Sequence, residues 1–224
     1  MDDPEFDDDS GSESLGSPER FFLAAVGFEI ALGIVAVIVG KYFGPVANGF
    51  VPPLTDAWSI LWGTGLGALL ALPMVALVQG LQKLKFSQVE EINRMGRDRM
   101  LPLVKELTTS ELAILSICAG VGEEMLFRGW LQTLLTGTES QWNPISILVG
   151  ISVASLAFGL AHAITKLYVA VVFAMGILFG IMLVATGNLL VPIAAHAMFD
   201  FIQLRLAVGE SKKEADEAES PVGK

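Results

Sequence analysis

"VGEEMLFRGW", residues 121–130, sets two adjacent carboxylates and a guanidinium inside an apolar run that extends over residues 112–135. A run of that length is enough to cross a bilayer, where each ionisable group costs a few kcal/mol unless it faces a cavity or a partner. What surrounds the stretch decides its reading. The chain has 224 residues, 53% of them hydrophobic, well above the apolar share of an ordinary soluble domain. Five more apolar runs, at residues 21–39, 58–81, 144–164, 167–186 and 189–206, approach the ~20 residues of a spanning helix. The expectation is an all-α integral membrane bundle of about six transmembrane helices.

Residues 1–20 and 207–224 are charged, rich in small polar residues and short of large apolar ones, so both are expected to be disordered tails. The net charge of −10 comes largely from them, and no nucleic-acid partner is expected. The first tail lacks the basic segment and cleavage site of a secretory signal, which makes residues 21–39 an expected retained anchor. Between the tails the sequence divides into two N-terminal spans with a connection, residues 21–107, and a core at residues 108–206. Drawn as six spans, twelve basic residues from Arg20 to Lys224 fall on one side and Lys41 alone on the other. The positive-inside rule then places both termini and the residue 82–107 connection in the cytoplasm.

That connection contains "SQVEEINRM", with Ser87 three residues before Glu90 and apolar Val89, Ile92 and Met95 at helical intervals. The spacing predicts a short interfacial helix opened by a capping box. Thr108 and Glu111 predict a second capping box at the start of the helix carrying the quoted stretch. Cys118, the one cysteine, sits in an apolar helix and reads as a packed thiol.

The mid-span ionisable residues are few: Glu123, Glu124 and Arg128, then His162, then His196 and Asp200, with Glu29 alone in the first span. Glu124 and Arg128 are four apart and share a helix face, so they are expected to pair, while Glu123 is rotated by about 100° and left free. His196 and Asp200 share a face in the same way, and Phe158 lies one turn before His162. Pro192, four residues before His196, predicts a disturbed helix there. Small residues near the histidines, among them Gly159, Ala161, Ala195 and Ala197, predict close helix approach. Each cluster has a purely structural reading as well: an ion pair holding helices together, an interfacial histidine, an aromatic in the core. What those readings leave unexplained is that both histidines and most of the mid-span charges fall into three short clusters on three helices.

In order along the chain, "EEMLFR" (123–128), "FGLAH" (158–162) and "HAMFD" (196–200) resemble the EExxxR, FxxxH and HxxxN/D motifs of the CAAX protease and bacteriocin-processing family, also called Abi or type II CAAX prenyl endopeptidase-like. The likeness covers residues 108–205. It implies an intramembrane endopeptidase in which Glu123 and His162 bind and activate the attacking water while His196 and Asp200 form the oxyanion site, with Glu124, Arg128 and Phe158 completing the motifs. Many members carry asparagine where this chain has Asp200, so Asp200 is expected to fix the His196 tautomer. The implied partners are the lipid bilayer and a membrane-associated protein or peptide substrate, prenylated CAAX proteins among them; no cofactor is expected, with zinc as the alternative. Rival readings are a metal-dependent membrane protease, a proton-coupled carrier, and a non-catalytic scaffold or immunity protein. One difficulty is depth: Glu123 lies about 22 Å along its helix from Thr108, while His162 is a turn from Lys166. The two meet only if the third span begins below the membrane or tilts strongly.

Overall fold

Helices begin where the sequence supplies a cap. Ser17, Asp56, Thr108, Asn143 and Thr165 each accept a backbone N–H from the first turn of the helix they precede. In the structure, a computed structural model that describes residues 17–137 and 139–219, these helices are α1 (Pro18–Phe43), α2 (Ala57–Gln82), α5 (Thr109–Glu124), α7 (Pro144–Ala161) and α8 (Lys166–Thr186). Between α2 and α5 lie α3 (Ser87–Met95), a π-helical turn at Gly96–Met100 and α4 (Leu101–Val104). A longer π-helical run, Met125–Gln132, continues α5 into α6 (Thr133–Thr136), and α9 (Leu190–Glu219) closes the chain. The disorder expected at residues 1–16 and 220–224 lies outside the described residues.

The protein is an all-helical polytopic bundle. Among the described residues, five helices, α1, α2, α7, α8 and the apolar part of α9, are long and apolar enough to cross a membrane. The sixth expected span is the quoted stretch itself: α5, the π-helical run and α6 form one helical course over residues 109–136, interrupted where its charges sit. The wider π turn is accompanied by a hydrogen bond of matching span, Thr133 Oγ1 donating to the Arg128 carbonyl at 3.0 Å.

Two capping expectations part company. At α5 the Thr108 side chain accepts the Glu111 N–H, and the Glu111 carboxylate accepts the Thr108 N–H at 2.7 Å, so the box is complete. At α3 the helix forms over the expected residues, yet Phe86 occupies the cap and Ser87 is already helical, its hydroxyl engaged with Gln88. Pro192 also differs from expectation. Because α9 starts at Leu190, Pro192 stands in the first turn, where a missing N–H leaves no gap in the ladder, and no kink is needed. The expected tail from residue 207 is helical to Glu219, since Val208 packs against Val104, Leu107 and Leu112 and Lys213 lies 3.7 Å from Glu217 one turn on.

Helices approach each other at glycines. A Cβ on Gly67 of α2 would strike the Val191 carbonyl of α9, one on Gly120 would come within 2.8 Å of the Ile193 carbonyl, and one on Gly122 would strike the Glu29 carbonyl of α1. Gly159 packs against Val169 and Phe173 of α8 in the same way. These contacts draw α1, α5 and α9 together around the middle of the bundle, which is where the ionisable residues lie.

Candidate active site

The π-helical run turns Arg128 fully inward. Its guanidinium lies 4.3 Å from the Phe158 ring centroid and 5.3 Å from that of Phe179, and its Nη1 donates to Glu124 Oε1 at 3.0 Å. Both side chains are completely buried, so the pair expected from their four-residue spacing is a dry, charge-assisted hydrogen bond inside an aromatic cage. The same Glu124 oxygen stands 3.0 Å from His196 Nδ1. A carboxylate accepts and does not donate, so His196 carries a proton on Nδ1.

That contact corrects one expected role. Glu124, not Asp200, sets the Nδ1 side of His196; Asp200 lies at the opposite nitrogen, with its Oδ2 3.3 Å from Nε2. Four-residue spacing along α9 brought Asp200 within reach of the imidazole, but only the packing of α5 against α9 decided which nitrogen it meets. The ring is further held by Phe179, stacked at 5.1 Å between centroids, and by Phe158, edge-on at 5.8 Å.

Glu123 is the carboxylate that Arg128 does not take. Its Oε1 faces His162 Nε2 at 3.5 Å and its Oε2 faces His196 Nε2 at 3.8 Å, too far for a direct hydrogen bond in the second case. His162 caps the end of α7, and its Nδ1 lies 2.9 Å from the Phe158 carbonyl. A carbonyl only accepts, so the neutral ring holds its proton on Nδ1 and presents the Nε2 lone pair to Glu123. Two acceptors face each other across 3.5 Å. Exposure separates this side from the other: the side chains of His162 and Asp200 are 29% and 32% exposed, against 0% for Glu124 and Arg128. Glu123 and His162 therefore meet despite the expected difference in depth.

The three motif clusters, on α5, α7 and α9, thus converge at one place. Phe158 contacts Arg128, His162 and His196 and is the hub of the cluster. Two residues belong with them that the motifs do not contain. Tyr168 of α8 packs on the aromatic core and lies in electrostatic range of Asp200 and Glu123. Glu29 of α1 interacts with Glu123, His196, Asp200 and His162, and its buried Oε2 has no hydrogen-bond partner among the described residues. The signal for Glu29 was present as an acid inside an apolar span; its isolation in sequence concealed it. Cys118, expected to be packed, is partly exposed instead, beside Glu29 in an apolar groove between α1 and α5.

Among the described residues no three histidine, cysteine, aspartate or glutamate side chains are disposed to hold a metal ion, and both nitrogens of His196 are turned to carboxylates. Fold and site together define a multi-pass helical membrane protein with carboxylates and imidazoles gathered inside the bundle. Residues 105–202 match the model of the family described as type II CAAX prenyl endopeptidase Rce1-like, and the three motif clusters lie within that stretch. No curated protein and no solved structure matches the chain.

Proposed function

We propose that the protein is an intramembrane endopeptidase in which Glu123 activates water to cleave a peptide bond of a membrane-associated protein or peptide, prenylated CAAX proteins being the substrate class that the family name points to. The observation that carries this reading is the pair of acceptors, Glu123 Oε1 and His162 Nε2, 3.5 Å apart at the more open side of a buried site. A water lying beside that pair has one acceptor for each of its protons, which orients its lone pair toward a carbonyl carbon. Glu123 takes a proton as the oxygen attacks. His196, protonated at Nδ1 against Glu124 and charged when Nε2 also holds a proton, donates from Nε2 to the tetrahedral oxyanion, and in a dry site such a donor is worth far more than in water. Asp200 steadies that proton, and the hydrogen bond from Arg128 holds Glu124 in place.

Zinc held by the histidines and acids is the alternative way to activate water. In this reading the wide excess of basic residues beside the residue 82–107 connection and the two ends keeps both termini cytoplasmic.

Membrane-protein termini compared between cells with wild-type protein and cells with Glu123→Gln test the proposal. New termini should appear with the wild type alone, and purified wild-type protein should keep its activity after exhaustive chelation. Termini that do not depend on Glu123 would favour the scaffold or carrier reading; activity lost to chelation and restored by zinc would favour the metalloprotease.

A further inference from the structure

An apolar groove of about 450 Å³ runs between α1 and α5, lined by Ile34, Val37, Ile117 and Val121 among others and open along one side. One carboxylic acid lines it, Glu29, and Glu29 is in electrostatic range of Glu123, His162, His196 and Asp200. The close packing of Gly122 on the Glu29 carbonyl fixes this placement, because it sets the acid beside the residue next to Glu123 in the chain. The groove wall is almost wholly apolar, and Glu29, whose Oε2 is buried, stands between it and the site.

Charge in the cluster is unbalanced. Glu29, Glu123, Glu124 and Asp200 share one guanidinium and two imidazoles, so even with both histidines protonated one negative charge is in excess in a largely desolvated place. Arg128 and His196 hold Glu124, His196 faces Asp200, and His162 faces Glu123. Glu29 Oε2 has no such partner, and the groups facing Glu29 from α5 and α9 include two further acids and the Cys118 thiol. A proton on Glu29 lowers the excess at a buried oxygen that has no hydrogen-bond partner among the described residues.

We propose that Glu29 is a further catalytic residue, the general acid that protonates the departing amine of a substrate lying in the α1–α5 groove. This rests on the endopeptidase reading. Water oxygen bonds to the carbonyl carbon while Glu123 takes its proton. The C–N bond then breaks, and its electron pair takes the proton from the Glu29 carboxyl, giving a free amine and an acid. Glu29, left as carboxylate beside protonated Glu123, recovers a proton from it, and the site returns to its starting state. Two acids thus divide the work between attack and departure.

Leaving-group chemistry tests this in the full-length protein in detergent or proteoliposomes. The probes are a quenched peptide containing a cleavage site mapped in cells and the same peptide with an ester at the scissile bond, whose alkoxide departs with less need of a proton. Glu29→Gln should slow the amide by about 100-fold and the ester by less than about threefold, and Glu29→Asp, which keeps the acid, should fall between wild type and Glu29→Gln on the amide. The ester rate also reports that Glu29→Gln is folded. Equal losses on the two probes, or no loss on either, would overturn the assignment of Glu29. Failure of the endopeptidase reading looks different: wild type and Glu123→Gln would then be alike on both probes.

Discussion

Glu123 and Glu124 are neighbours in the chain and live in opposite surroundings. Glu124 is sealed, bonded to Arg128 and His196 and enclosed with Arg128 among Phe127, Phe158 and Phe179. Glu123, one step round the helix, faces His162 and His196 across 3.5 and 3.8 Å, longer than a full hydrogen bond, on the side where His162 and Asp200 reach solvent. The difference teaches how one helix serves two purposes. A carboxylate whose partners are all protein groups is a structural element that holds other groups still; one whose partners stop short of contact is available for chemistry.

The sharpest break in that comparison comes from Arg128→Ala set beside Glu123→Gln. Removing the guanidinium strands Glu124 in the dry cage and should destabilise the protein by about 3–5 kcal/mol. Glu123→Gln, which removes a buried charge with incomplete partners, should leave the detergent melting temperature unchanged or raised while cleavage is lost. If the two variants melt alike, the division into sealed and open halves is wrong. Glu124→Gln comes next: it keeps the shape but weakens charged hydrogen bonds to Arg128 and His196, with an expected cost of about 1.5–3 kcal/mol in denaturant unfolding and a fall in kcat as His196 loses its fixed tautomer.

Asp200→Asn sharpens the comparison from the open side. Because Glu124 holds Nδ1 and Asp200 is about a third exposed, the loss in kcat/KM should not exceed about fivefold, the worth of a partly solvated ion pair. A loss as large as that of Glu124→Gln would return the tautomer-setting role to Asp200. The smallest effect belongs to Thr108→Ala, outside both halves. It removes one side of the α5 capping box and should cost about 1 kcal/mol of stability, read by thermal unfolding, with kcat unchanged.

Much of this site was legible beforehand because helical spacing is local. Four-residue intervals pair Glu124 with Arg128, set Phe158 against His162 and carry Asp200 to His196, whatever the neighbouring helices do. The choice of nitrogen on His196, the inclusion of Glu29 and Tyr168, and the place of Pro192 were not legible. Each depends on the packing of one helix against another or on where a helix begins.

The amino-acid sequence by itself determined the membrane-spanning helical class, since twenty-residue apolar runs leave the chain no other way to satisfy its backbone in lipid. It also determined which residues carry charge and which share a helix face. Only the tertiary structure decided which acid stays dry and which meets the imidazoles. The physical reason is that burial and ionic partnership are properties of what lies across a helix interface, and glycines such as Gly120 and Gly122 set those interfaces by letting backbones meet.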